Sequence, residues 1–113
     1  MKERRQKKTN LILKGQIEKG LKSIKNKSKI IIAYEPVWSI GTGVIPKEAD
    51  LNKTISFIKS RFVKKYPKIL YGGSVNTNNV SILKKIPSID GFLIGGASQN
   101  PKKFIDIIKK TIN

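Results

Sequence analysis

Residues 30–43 read IIIAYEPVWSIGTG, an apolar run that ends in a carboxylate, a proline and a tryptophan. Consecutive isoleucines without polar alternation are typical of a parallel strand covered on both faces. Pro36 ends the strand and holds Glu35 in an extended conformation, because the residue before a proline avoids helical angles. Gly41 and Gly43 allow backbone angles that other residues resist. The pattern therefore predicts a buried strand with Glu35 at its carboxyl end, followed by a loop over residues 36–46.

Two more apolar segments repeat this pattern further along the chain. They are KILYGG at 68–73 and IDGFLIGG at 89–96, and both end in paired glycines. Helical segments precede, separate and follow the three strands, and the one between the second and third strands is a loop with a short helix. Alternating strands and helices imply a parallel sheet with right-handed crossovers. The sequence thus predicts an α/β fold with three parallel strands and flanking helices.

Three of the helical segments carry an apolar stripe at helical spacing. Pro46 and Pro101 lie near the starts of the second and last helices, where a proline is tolerated. The residues expected to face the core are Leu13, Ile17, Leu21 and Ile24 in the first, Leu51, Ile55, Ile58 and Phe62 in the second, and Phe104, Ile107 or Ile108, and Ile112 in the last.

The chain is strongly basic, with 24 Lys and Arg against 7 Asp and Glu and a net charge of +17. This charge fits an anionic partner, such as nucleic acid, an acidic surface or a phosphorylated small molecule. The lysines are spread along the whole chain instead of forming one block, which favours the alternative that they cover ordinary solvent-facing surfaces. The 113 residues include no cysteine or histidine, so we expect no disulfide, no zinc site and a reducing, cytoplasmic location. No apolar run is long enough to span a membrane.

The carboxyl ends of parallel strands share one rim of a sheet, and ligands bind there. Glu35 at this rim is a candidate base, or else it is a structural ion-pair partner or a solvated charge. Paired glycines expose backbone N–H groups, and with the Ser74 hydroxyl they make a candidate phosphate cradle. The alternative is that Gly72-Gly73 and Gly95-Gly96 are only tight turns.

Three phrases together resemble the last three strand–loop motifs of triosephosphate isomerase. They are AYEPVWSIGTG at 33–43, YGGSV at 71–75 and GFLIGGAS at 91–98, and they occur in that family's order. ERRQKKTNLILKGQIEKGL at 3–21 also resembles the helix before the family's sixth strand. The resemblance implies that residues 1–113 form a single C-terminal segment of a (β/α)₈ TIM barrel. Residues 1–8 are basic, and their charge predicts either a frayed helix start or a tail.

The resemblance also implies an activity, the interconversion of dihydroxyacetone phosphate and glyceraldehyde 3-phosphate, with no cofactor or metal. Family members are homodimers, and Glu35 takes the role of the base that shuttles a proton through an enediol(ate). The residues implied to bind the substrate phosphate are Gly41, Ser74, Gly95 and Gly96. The residues implied to form the lid and its latch are Pro36, Val37, Trp38, Thr42, Gly43 and Tyr71.

Some family features have no counterpart in this chain. An asparagine–lysine pair after the first strand and a histidine after the fourth are missing, and Ser39 stands where alanine is usual. Three strands cannot close a barrel, so we expect an open sheet that needs another chain, with negligible isomerase activity alone. Two other hypotheses stay open: a basic nucleic-acid-binding fragment, although no groove-reading motif is present, and an oligomer-forming scaffold.

Overall fold

The computed structural model describes residues 9–25, 29–36, 42, 44–62 and 67–112. Its helices are α1 (Thr9–Gly20), α2 (Glu48–Ser60), α3 (Val80–Leu83) and α4 (Pro101–Ile112), and a short 3₁₀ helix covers Gly96–Gln99. Its strands are β1 (Ile31–Tyr34), β2 (Lys68–Tyr71) and β3 (Gly91–Phe92). No helix within these ranges is long and apolar enough to cross a membrane.

The three strands form one parallel sheet in the order β1–β2–β3. Ala33 pairs with Leu70, which pairs with Gly91, and the next row is Tyr34, Tyr71 and Phe92. The predicted parallel sheet of three strands is therefore confirmed. The third strand is shorter than the apolar segment at 89–96, since only two of its residues join the ladder.

Helix α2 follows the predicted pattern closely. It begins two residues after Pro46, and Glu48 and Asp50 lie in its first turn, where the helix dipole favours negative charge. Leu51, Ile55 and Ile58 are almost fully buried, and they form one face of the hydrophobic core. The spacings of four and three residues place the three side chains on the same side of the helix.

Helix α4 begins at Pro101 as predicted, but its apolar stripe is narrower than expected. Ile107 is fully buried, whereas Ile108 is 42% exposed. The prediction for Ile112 was wrong, because this side chain is 76% exposed at the end of the helix. The last turn of α4 thus extends beyond the edge of the core that Ile107 joins.

The sheet has one covered face and one open face. Ile69 and Tyr71 point into the core beneath the helices and are fully buried. On the opposite face, Ile31 is 66% exposed and Leu93 is 43% exposed. The expectation that β1 is covered on both faces is thus wrong for the described residues, in which the helices pack on a single side. In a (β/α)₈ barrel the helices form the outer ring, so the face of the sheet opposite the helices is the interior face.

Candidate functional site

The carboxyl ends of the three strands lie side by side at one rim of the sheet. The Gly72 N–H donates to the Tyr34 carbonyl at 2.9 Å, and the Leu93 N–H donates to the Tyr71 carbonyl at 3.0 Å. Glu35 follows Tyr34 directly, so the pairing of β1 with β2 places the Glu35 carboxylate at the rim, next to the glycines that follow β2. Parallel pairing thus joins segments that are far apart in the sequence.

A groove of about 780 Å³ opens at this rim. Its walls come from the end of β1, the turn after β2 and the segment from Leu93 to the first turn of α4. Four of the predicted site residues line it together, and they are Glu35, Ser74, Gly95 and Gly96. The groove is the size of a small-molecule site, which typically measures a few hundred to a thousand Å³.

The Glu35 side chain rests directly on Gly72. A β-carbon built on Gly72 would lie 2.7 Å from the Glu35 Cγ and 2.9 Å from its Oε1, which is closer than real side chains approach. The missing side chain at Gly72 is thus what lets the carboxylate occupy this part of the rim. From the sequence, Gly72 was interpreted only as part of a turn or a phosphate cradle. Neither the motif at 33–43 nor the motif at 71–75 indicates by itself that Glu35 contacts Gly72.

A network of asparagine side chains shapes the turn that contains Ser74. The Asn79 Nδ2 donates to the Ser74 carbonyl at 2.7 Å, and the Asn79 Oδ1 accepts from the Asn76 N–H at 2.9 Å. The Asn76 Oδ1 in turn accepts from the N–H groups of Asn78 and Asn79. Sequence reasoning missed this network, although three asparagines in four residues are a known signal for side chains that bond to the local backbone.

The third wall of the groove is formed by paired glycines and a lysine. A β-carbon built on Gly95 or Gly96 would meet no atom within 4 Å, so a ligand can approach this backbone freely. The Ser98 N–H and hydroxyl both donate to the Gly95 carbonyl, at 2.9 and 2.6 Å, and close the turn. Lys103, an exposed cation that sequence reasoning did not single out, lines the same groove. These features suit a small anion.

The predicted lid and latch residues are only partly described. Pro36 is buried beside the rim, and the Thr42 hydroxyl oxygen accepts from the Val44 N–H at 3.1 Å. Tyr71 is fully buried in the core and does not line the groove. Four residues named for the lid or the phosphate lie outside the described residues, and they are Val37, Trp38, Gly41 and Gly43.

A second polar feature lies at the opposite end of the sheet, away from the groove. The Asp90 Oδ2 accepts from the Ile69 N–H at 2.9 Å and pairs with the Lys59 Nζ at 3.2 Å. Burial acts to raise the pKa of Asp90, but the Ile69 hydrogen bond and the charges of Lys59 and Lys68 outweigh it. The pKa of Asp90 is therefore lowered. This carboxylate ties α2 to the strands and takes no part in the rim.

Comparison with known proteins identifies one family across the chain. The family model described as triosephosphate isomerase matches residues 1–111. A triosephosphate isomerase of Mycoplasma mobile is 48% identical over 102 residues, covering 90% of this chain and 42% of the relative. The enzyme of Thermodesulfovibrio yellowstonii is 42% identical over 113 residues, covering 95% of this chain and 46% of the relative. The chain therefore spans less than half the length of these two relatives.

Proposed function

The chain belongs to the triosephosphate isomerase family, and from this premise we propose that it supplies the catalytic base and most of the phosphate site of a triose-phosphate isomerase. The substrates are dihydroxyacetone phosphate and glyceraldehyde 3-phosphate. The observation that carries the proposal is the shared groove, in which the exposed Glu35 carboxylate and the Gly95-Gly96 backbone line one small cavity.

In the proposed reaction, Glu35 removes a proton from the substrate carbon next to the carbonyl and returns it to the adjacent carbon. The intermediate is an enediol(ate). The hydroxyl hydrogen moves from one substrate oxygen to the other, and both oxygens stay on the substrate. No electrons are transferred to or from the protein, so the reaction itself needs no redox cofactor. A base in a groove that a lid can close acts efficiently because water is excluded.

The substrate phosphate binds in the glycine-lined part of the groove in this proposal. Ser74, Gly95 and Gly96 contribute hydrogen-bond donors, and Gly41 contributes another from the lid. In this proposal, residues 36–46 close over the bound substrate, with Pro36 at one hinge. The open space above Gly95 and Gly96 supports this assignment, because the phosphate can reach their backbone without meeting a side chain.

Polypeptide beyond these 113 residues completes the barrel in the proposal. The remaining strands would pair with the open edges of β1 and β3, and their side chains would then cover the exposed apolar face that carries Ile31 and Leu93. Those strands would also supply the electrophile that stabilises charge on the substrate oxygen, without which the 113 residues alone have negligible activity. The homodimeric state implied by the family resemblance and the cytoplasmic location expected from the absence of cysteine remain predictions. The nucleic-acid and scaffold alternatives gain no support from the family match.

The test is complementation with the part of the Mycoplasma mobile enzyme that lies outside the matched segment. We expect the two polypeptides, expressed together, to form a complex that converts dihydroxyacetone phosphate to glyceraldehyde 3-phosphate in a coupled assay. Glu35→Gln should lower kcat by about 10²–10⁴-fold, the usual contribution of a general base. Glu48→Gln, an exposed carboxylate in the first turn of α2, is the matched control and should leave kcat unchanged.

Two results would overturn the proposal. One is a stable complex in which the Glu35→Gln variant turns over as fast as the unmodified chain. The other is a stable complex without measurable isomerase activity.

A further inference from the structure

The turn between Ser74 and α3 is held by two asparagines that bond to each other's backbone. The Asn76 Oδ1 accepts from the Asn79 N–H at 2.9 Å, and the Asn79 Oδ1 accepts from the Asn76 N–H at 2.9 Å. The Asn78 N–H also donates to the Asn76 Oδ1, at 2.8 Å. This reciprocal arrangement resembles a capping box, in which two side chains satisfy the free N–H groups at a helix start. It fixes the path of the backbone into α3.

Asn79 has one further bond that Asn76 lacks. Its Nδ2 donates to the Ser74 carbonyl at 2.7 Å, across five residues, inside the protein. Asn79 is only 8% exposed and Ser74 only 9% exposed, so water cannot easily replace this bond. A buried donor or acceptor that loses its partner keeps its full desolvation cost. The orientation of the Ser74 peptide group is therefore coupled to the side chain of Asn79.

The far side of the turn is anchored separately. The Lys110 Nζ donates to the Thr77 carbonyl at 3.0 Å and pairs with the Asp106 carboxylate at 3.1 Å. Helix α4 thus holds the tip of the turn while Asn79 holds its beginning at Ser74. Because the tip is anchored, loss of the Asn79 amide should mainly change the orientation of the Ser74 peptide group, and Ser74 lines the groove.

We propose that Asn79 is a positioning residue for the anion site, and that it acts by holding Ser74 in the orientation that binds phosphate. The inference rests on the proposed function, because it takes the groove to be a phosphate site. Asn79 itself does not line the groove, so its effect is exerted through Ser74.

Two substitutions with the same charge change separate this role from general electrostatics. Asn79→Asp keeps the oxygen that accepts from the Asn76 N–H but replaces the amide donor with a second oxygen facing the Ser74 carbonyl. Asn76→Asp adds the same charge to the same turn and keeps both of its recorded hydrogen bonds, since its amide oxygen is the atom that makes them. Asn76 lines the groove and Asn79 does not, so repulsion by the new charge alone would weaken phosphate binding more in Asn76→Asp. Weaker binding by Asn79→Asp than by Asn76→Asp therefore reports the bond to Ser74.

The experiment titrates the full chain with inorganic phosphate while the backbone amide signals of Ser74 and Gly95 are followed by NMR. We expect Asn79→Asp to bind phosphate about tenfold more weakly than Asn76→Asp, which corresponds to about 1.4 kcal/mol. Ile107→Ala, a core truncation away from the groove, controls for lost stability and should leave the dissociation constant unchanged. If Asn79 were needed only for stability, Asn79→Asp would behave like Ile107→Ala, with lower stability and an unchanged dissociation constant for phosphate.

A second measurement on the unmodified chain covers the case in which Asn79→Asp does not fold. Phosphate should shift the side-chain amide signal of Asn79 with the same dissociation constant as the Ser74 backbone signal. If phosphate binds and the Asn79 amide does not respond, or if the two aspartate variants bind equally, the inference is wrong and the proposed function stands. If the unmodified chain does not bind phosphate at all, the phosphate site of the proposed function fails, and this inference fails with it.

Discussion

Replacing Gly72 with alanine should displace the Glu35 side chain from the rim of the sheet. The new β-carbon would lie 2.7 Å from the Glu35 Cγ, and ordinary van der Waals contact begins at 3.4 Å, so the two atoms must separate by about 0.7 Å. Either the glutamate side chain rotates or the two strands move apart. Moving the strands would stretch the 2.9 Å bond from the Gly72 N–H to the Tyr34 carbonyl. Because Glu35 is exposed, we expect its side chain to move instead.

The energetic cost of this displacement is measurable by a double-mutant cycle. A side chain forced about 30° from its preferred rotamer costs about 0.5–1.5 kcal/mol, and we expect the coupling between Gly72→Ala and Glu35→Ala to lie in that range. Glu35→Ala removes the Cγ, Oε1 and Cδ, which are the three atoms nearest to the new β-carbon at position 72, so the clash is relieved. Urea unfolding of the four proteins gives the coupling energy.

A matched control for the cycle is Gly15→Ala in α1, where a new β-carbon would meet nothing within 4 Å. Its effect on unfolding should be the same with or without Glu35. In the complemented enzyme, Gly72→Ala should also lower kcat by up to about 10²-fold, because a base misplaced by about 1 Å loses its alignment with the substrate. Additive effects of Gly72→Ala and Glu35→Ala would refute the reasoning, because the contact would then contribute nothing.

Two further predictions concern charges on the described residues. Because the folded-state pKa of Asp90 is lowered, its contribution to the free energy of unfolding is present above its unfolded pKa of about 3.9 and is lost as pH falls through the folded value. Asp90→Asn should therefore flatten the fall in stability below about pH 5 in acid titrations followed by circular dichroism. Asp106→Asn changes a carboxylate whose side chain is 44% exposed and which pairs with Lys110, so it should change this fall less, and equal profiles would contradict the prediction. Lys103→Gln should weaken inorganic phosphate binding by about three- to tenfold at low salt, and the loss should shrink as salt screens the charge. Lys102 is exposed but does not line the groove, so Lys102→Gln should have less than half that effect on the dissociation constant in the same titration. If the weaker binding of Lys103→Gln did not depend on salt, the charge of Lys103 would not be its cause.

Much of the fold could be predicted from local patterns alone. The apolar spacing of Leu51, Ile55 and Ile58 correctly predicted the buried face of α2, and the prolines at 46 and 101 correctly marked where two helices begin. These features depend on residues within one or two turns of each other, so the chain specifies them before it folds. The common rim could be predicted too, because parallel strands carry their carboxyl ends to the same side.

Only the tertiary structure decided which atoms meet at that rim. Glu35 and Gly72 belong to different strand–helix units, and their contact depends on the register that pairs Tyr34 with Tyr71. The choice of Ile107 over Ile108 as the buried residue of α4 likewise depends on how the helix is turned against the core. Periodicity assigns residues to faces within one element, but contacts between elements depend on packing that a single segment does not encode.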